Sequence, residues 1–275
     1  MAWGKGKTIN INEDEESNED NKSFSDYFKP SIDFPDQPSI NIILWGNEKV
    51  GKTHFTSTAP KPHFVIDTES IYEKFLKYNV KDREDIYIID CLRLSEVDNG
   101  KVDVLKSLDI LFKGIDKLVT HIKDNSITDG TIIVDSISDV YDWLNIWTES
   151  NASKTLSDGK PNRLEYGKRN RLHAQLIHLL KFTNLHVIFT ARAIDEVSNV
   201  GANLGTQKPK MHAETKYVYD LIAKISRVND EHVFRITGGS FGDYIIGKEL
   251  INPTWDDLMK FINDNLGFKI TKGND

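Results

Sequence analysis

The chain has 275 residues, and its 35 Lys and Arg against 42 Asp and Glu leave a net charge of −7. A 39% apolar fraction with 13 Phe, 9 Tyr and 5 Trp excludes a wholly disordered chain, and a single cysteine, Cys91, excludes an internal disulfide framework. No apolar run approaches the ~18 residues of a membrane span, and the net acidity excludes a general polycation while leaving room for a local basic loop on nucleic acid.

The first thirty residues read as a disordered acidic tail. Residues 11–22 carry six acids and one Lys, with Ile11 the only large apolar side chain. Such a stretch buries too little surface to offset the entropy of ordering it. The N-terminus also lacks the apolar segment of a secretory leader, so the expected location is the cytoplasm, or the host cytoplasm for a viral protein. Phe24, Tyr27 and Phe28 follow. They are expected to pack on their own domain, with a neighbouring subunit as the alternative. Residues 31–275 are expected to form one domain.

From Ser39 the texture changes. Five short apolar runs, at 40–45, 63–67, 85–90, 131–135 and 186–190, are bounded by polar residues, as strands buried on both faces are. Leu105, Leu108, Leu111, Phe112, Ile115, Leu118, Val119 and Ile122 recur at helical spacing between them, and so do Leu172, Leu176, Leu179 and Leu180. Strands alternating with helices predict a parallel sheet with right-handed crossovers. Asn229-Asp230-Glu231 predicts a hairpin turn between runs at 221–228 and 232–237, and a last amphipathic helix is expected at about 254–266. The hairpin and terminal helix together fill 217–270. Segments 149–164 and 195–215 are rich in Gly, Ser and Asn and read as long mobile loops.

The sharpest motif is Gly46-Asn47-Glu48-Lys49-Val50-Gly51-Lys52-Thr53, which fits G-x-x-x-x-G-K-S/T directly after a predicted strand. Its glycines let backbone N–H groups wrap phosphate oxygens. Lys52 would reach the β- and γ-phosphates, and the Thr53 hydroxyl would ligate Mg²⁺. The metal side needs a carboxylate, and Asp135 stands at the end of the fourth run, where ligands of open α/β sheets gather. Its alternative role is a helix N-cap. Ser136 follows Asp135, so a base that positions water must come from another strand end. Glu69 is the best candidate and Asp67 the alternative. Thr190 and Arg192, at the end of the fifth run, are placed to report the γ-phosphate.

This succession is a P-loop, then strands ending Ile-Asp-Thr-Glu69, Ile-Val-Asp-Ser136 and Phe-Thr-Ala-Arg192, with Glu165-Tyr-Gly-Lys168 heading a long helix. It resembles the RecA-like P-loop ATPase core. More closely it resembles the compact phage and archaeal AAA-type nucleotide-binding proteins that include single-strand-annealing recombination ATPases. The resemblance covers about residues 38–250. It implies an α/β fold, a mainly parallel sheet with the P-loop strand central and flanked by helices, carrying the C-terminal β-hairpin as an extension. It also implies ATP and Mg²⁺ as ligands, hydrolysis of ATP, assembly into a ring or filament, and single-stranded DNA held by loops, which here fall on 149–164 and 195–215. Lys154, Lys160, Arg163, Lys168, Arg169, Arg171, Lys208, Lys210, His212 and Lys216 lie in or beside those loops and suit a phosphate backbone. Arg235 is a candidate cation for a neighbour's ATP. The chain departs from recombinases in lacking a separate DNA-binding domain and in having Thr190 where they carry a glutamine, so annealing or loading fits better than strand exchange. The competing readings are a regulatory or assembly ATPase switch without DNA and a small-molecule P-loop kinase.

Overall fold

The computed structural model describes residues 39–97, 101–153, 155–198 and 201–266, all within the unit Pro38–Asp275. The predicted tail at 1–30, the boundary near residue 31 and Lys154 lie outside the described residues.

The five apolar runs form strands. They are β1 (Asn41–Gly46), β2 (His63–Asp67), β3 (Ile86–Asp90), a sixth strand β6 (Thr131–Asp135) and β7 (His186–Val197). Two short strands, β4 (Glu96–Val97) and β5 (Lys101–Val102), pair with each other away from the main sheet. The C-terminal part adds β8 (Asn203–Pro209), β9 (Leu221–Val228), β10 (Glu231–Gly239) and β11 (Glu249–Ile251). The main sheet runs β11-β10-β9-β1-β7-β6-β2-β3, with β8 hanging from the far end of β7. Every pairing from β9 to β3 is parallel, and β10, β11 and β8 pair antiparallel. This is the expected α/β core with a mainly parallel sheet. The P-loop strand is central, and the predicted hairpin extends the sheet beside it.

Helices cover both faces. Ile43 and Trp45 point toward α4 (Val104–Asp124), α5 (Ile137–Asn151) and α6 (Arg163–Lys181), while Ile42 and Leu44 point toward α1 (Lys52–Thr56) and α7 (Trp255–Leu266). Two short helices, α2 (Tyr72–Asn79) and α3 (Cys91–Leu94), follow β2 and β3. In α4 the leucine and isoleucine stripe buries Leu108, Leu111, Ile115 and Ile122, and Asp103 caps the first turn by accepting from the Leu105 and Lys106 N–H groups. Each such buried aliphatic contributes about 1.5–3 kcal/mol relative to exposure. Among the described residues no helix is long and apolar enough to cross a membrane.

Two expectations need correction. Segment 149–164 is not one long loop. Helix α5 continues to Asn151 and α6 starts at Arg163, with Asn162 capping the Leu164 N–H, so only 152–162 is irregular. Segment 195–215 is largely regular: β7 runs on to Val197, β8 returns antiparallel to Pro209, and a 3-10 turn spans Ala213–Val218. Its polar, Gly-rich composition reads as loop because both faces of this arm meet solvent. The backbone pairing that makes it a hairpin leaves little trace in side-chain hydrophobicity.

Candidate nucleotide site

The site sits where β1, β6 and β2 end, beside the middle of β7. Residues 47–49 of the P-loop are exposed, and the loop closes on its two glycines for different reasons. A Cβ on Gly46 would lie 2.2 Å from the Ile225 carbonyl oxygen, because β9 crosses at that point. Gly51 has φ +99°, and a Cβ there would lie 2.8 Å from Nδ1 of His232. Val50 is buried, and its carbonyl accepts from that ring nitrogen at 2.7 Å. The hairpin β9–β10 is therefore the back wall of the loop. The following helix α1 has only five residues, so the loop's own N–H groups must supply most of the anion binding.

Lys52 folds back over the loop, donating from Nζ to the carbonyl oxygens of Asn47 (2.7 Å) and Gly46 (3.1 Å). Burial pushes its ammonium below the ordinary lysine range, against the pull of Asp135 and Glu69. Thr53 donates from its hydroxyl to Oδ2 of Asp135 at 2.9 Å, and Thr190 donates to Oδ1 at 2.5 Å. Asp135 is almost fully buried, and that burial raises its pKa while the two hydroxyls oppose the rise. The structure thus joins the P-loop threonine and the carboxylate of β6 in one contact. It commits Thr190 to the same carboxylate. As an N-cap Asp135 makes no contribution: α5 follows Ser136, and no side chain caps it.

Glu69 and Arg192, assigned separate tasks from the sequence, are bonded to each other. Arg192 donates to Oε1 of Glu69 from Nη2 (2.9 Å) and Nε (3.2 Å), and Nη2 also reaches Oδ1 of Asp139 at 2.5 Å. Asp139 in turn accepts from the hydroxyls of Ser136 (2.8 Å) and Thr68 (3.1 Å). Burial raises the pKa of Asp139, with Arg192 pulling it back. Oε2 of Glu69 has no partner among the described residues. Asp67, the alternative base, has both oxygens engaged by backbone N–H groups, Glu69 at 2.9 Å and Tyr72 at 2.8 Å. It shapes the turn into α2, and burial pushes its carboxyl up to about 6.

Two contributors were missed from the sequence. Asp139 sits in the first turn of α5, just past the end of β6, which keeps its carboxylate at the strand ends beside Arg192. His232 is 181 positions from Gly51 in the chain, and no local pattern could connect them. Of the candidate DNA cations, Lys160 pairs with Asp158 (3.6 Å), Lys168 with Glu165 (2.9 Å) and Lys210 with Asp142 (2.5 Å). Arg169 bonds Asn145 and Asn170 and lies over the rings of Tyr141 and Tyr166. Arg171, Lys208 and Lys216 have no carboxylate partner among the described residues. Arg235, on β10, is exposed and 3.8 Å from Glu249.

A protein-family model described as an AAA domain matches residues 39–241, which takes in β1 through β10 and so every strand of the site. No curated protein matches. Among solved structures, the crystal structure of the RadB recombinase is similar, at 12% identity and a TM-score of 0.44, covering 78% of this chain and 87% of that chain. The chain belongs to the AAA-domain family.

Proposed function

We propose that this AAA-domain protein binds Mg-ATP, hydrolyses it, and couples the nucleotide to single-stranded DNA in recombination or strand annealing. The observation that carries the ATP half is a convergence at the strand ends: Lys52 folded over the P-loop, the Thr53–Asp135 hydrogen bond, and Glu69 held by Arg192. The P-loop N–H groups cradle the phosphates, and Lys52 exchanges its carbonyl partners for the β- and γ-phosphate oxygens. Mg²⁺ takes few protein ligands, usually one or two carboxylates or hydroxyls beside phosphate oxygens and water. The Thr53 hydroxyl and the Asp135 carboxylate, 2.9 Å apart, fit that donor set. When bound, Mg²⁺ neutralises charge on the phosphate oxygens. Glu69, oriented through Oε1 by Arg192, keeps Oε2 to orient and deprotonate water.

The DNA half rests on connection. Strand β7 carries Thr190 and Arg192 at the site and runs straight out into the β7–β8 arm. Helix α5 starts beside Asp135, bears Asp139 and runs out to 152–162. Both segments assigned to DNA are therefore one rigid element away from the γ-phosphate region, a route by which nucleotide state can bias them. In a ring or filament, Arg235 is the cation offered to a neighbour's nucleotide. One observation favours a second reading, a regulatory switch without DNA: Lys160, Lys168 and Lys210 are already paired with carboxylates of their own neighbourhood.

The test is steady-state ATP hydrolysis with and without single-stranded DNA, beside a Lys52→Ala control. Stimulation by DNA supports the first reading. Hydrolysis indifferent to DNA, with no DNA bound in any nucleotide state, leaves the switch.

A further inference from the structure

Helix α1 is preceded by a carbonyl turned away from it. The first bond of the helix runs from the Phe55 N–H to the Gly51 oxygen at 3.0 Å. The Val50 carbonyl, one residue earlier, stands before the left-handed Gly51 (φ +99°) and faces the β9–β10 hairpin instead. There its oxygen meets Nδ1 of His232 at 2.7 Å. A carbonyl only accepts, so Nδ1 carries the hydrogen. The same ring lies against Gly51, where a Cβ would be 2.8 Å from Nδ1 and 2.9 Å from Cε1.

The effect reaches the opposite side of one peptide plane. The Val50–Gly51 peptide is trans, so its N–H points away from its C=O. A carbonyl held toward the hairpin sends the Gly51 N–H the other way, into the concave side of the loop. That N–H has no acceptor among the described residues. Backbone N–H groups that converge in such a loop bind anions. A peptide turned over would instead present the carbonyl oxygen to a phosphate, and attraction would become repulsion. The five-residue α1 begins only after this peptide, and Gly51 has no Cβ to restrict it. The choice of orientation therefore falls to the group that grips Val50.

That group is itself fixed. The His232 N–H donates to Oδ1 of Asn252, and the His232 carbonyl accepts from the Asn252 N–H, both at 2.7 Å. The far end of α1 is tied to the same C-terminal segment, where the Trp255 N–H donates to the Thr58 hydroxyl oxygen at 2.9 Å.

We infer that His232 is a positioning residue of the phosphate site: it holds the Val50 carbonyl back and thereby aims the Gly51 N–H at a phosphate oxygen. The affinity of the P-loop is then set from 182 positions away, by the hairpin. The inference rests on the nucleotide reading above.

The test is calorimetric binding of inorganic tripolyphosphate and of ATP, with Mg²⁺, to the full chain and three variants. His232→Phe keeps a ring and removes the donor. His232→Asn keeps a side-chain N–H donor at a similar reach. Thr58→Ala loosens the far end of α1 without touching the Val50–Gly51 peptide. His232→Phe should weaken both ligands about tenfold, the scale of one hydrogen bond to a charged group. It should raise KM for ATP more than it lowers kcat. His232→Asn should restore most of the loss, and Thr58→Ala should bind both ligands as wild type does. Wild type alone gives a further readout: the Gly51 amide proton should move downfield in NMR spectra when tripolyphosphate binds. The inference is overturned if that proton stays in place while other loop amides move, or if folded His232→Phe binds both ligands as wild type does. It is also overturned if His232→Asn fails to rescue, or if Thr58→Ala costs as much affinity as His232→Phe. Failure of the nucleotide reading looks different: wild type itself would bind neither tripolyphosphate nor ATP, and the role of His232 would fall with it.

Discussion

The strand ends that hold Asp135 and the arm that leaves them are built from the same kinds of residue, held in opposite ways. At the strand ends each group meets a specific atom. Asp135 takes two hydroxyls, Arg192 spans Glu69 and Asp139, and Gly46 and Gly51 are pressed against a carbonyl and an imidazole. Along the arm, a Cβ on Gly201 or Gly205 would meet nothing within 4 Å, and the same holds for Gly159 in the 152–162 loop. Gly159 and Gly201 serve turns and Gly205 takes a positive φ of 71° within β8; none of the three serves a close approach. Lys160 pairs with Asp158 in an exposed ion pair, worth about 0–1 kcal/mol, and Lys208 on β8 has no carboxylate partner among the described residues. The strand ends are over-determined by their surroundings, whereas the arm and the 152–162 loop keep room to adapt.

The largest way to break the comparison is at the over-determined end. Lys52→Ala should abolish Mg-ATP turnover while leaving thermal unfolding near that of wild type, because among the described residues the lysine's only hydrogen-bond partners are two P-loop carbonyls. Turnover that survives in a folded variant would move the chemistry elsewhere. Next in size is the water-positioning carboxylate. Glu69→Gln should keep ATP binding and cut turnover by about 10² or more, the usual scale for a positioned base. Asp67→Asn should chiefly lower stability, since its carboxylate shapes a turn. If instead Asp67→Asn loses turnover with stability intact and Glu69→Gln does not, the roles are reversed.

How much of this could be read beforehand follows the same divide. The P-loop, Asp135 and the five apolar runs are local patterns, each within one segment, though β3, at the sheet edge, leaves Tyr87 and Ile88 exposed where burial on both faces was expected. The Glu69–Arg192–Asp139 bonds span up to 123 positions, and the His232 contact spans 182. Parallel strands bring such residues together through crossovers that composition does not register. Thr190 shows the limit from the other side. Its place at a strand end was legible, but its partner, Asp135, follows only from β7 lying between β1 and β6. The β7–β8 arm read as loop because a strand exposed on both faces carries no alternation of hydrophobicity to reveal it.

The adaptable end is tested by salt. Single-stranded DNA should bind more tightly with a non-hydrolysable ATP analogue than with ADP, and linkage requires the reciprocal tightening of that analogue by DNA. Replacing Lys160, Arg163, Lys208 and Lys210 together by Ala should weaken binding. It should also flatten the salt dependence by up to about 0.7 × 4 ≈ 3 log units per log unit of salt. Lys160 and Lys210 must leave Asp158 and Asp142 to reach a phosphate, so the observed change should fall below that ceiling. Fluorescence anisotropy at several salt concentrations measures it. An unchanged slope in a variant that still binds would clear these four residues of the role.

The smallest expected effect concerns what lies beneath that end. His173, on α6, is fully buried, and neither ring nitrogen has a partner among the described residues. Tyr141 of α5 meets the ring edge-on at 5.8 Å, and His212, just past the β7–β8 arm, lies 6.5 Å away. Burial, with smaller contributions from His212 and Arg169, pushes the His173 pKa down to about 3. The unfolded chain returns it to about 6.5, so between these values the unfolded state binds more protons and stability falls as the pH drops. At pH 5 the loss from this one group is about 1.5 units, or about 2 kcal/mol, and at pH 7 it is near zero. His173→Phe keeps an aromatic ring against Tyr141 and removes the titration. The drop in urea midpoint from pH 7 to pH 5 should therefore be smaller in the variant than in wild type. Other buried groups, His186 among them with its pKa lowered to about 4, titrate in both proteins and cancel in the comparison. Equal drops would mean that the ring is hydrated or hydrogen-bonded in solution, and that the packing beneath the arm is looser than that beneath the P-loop.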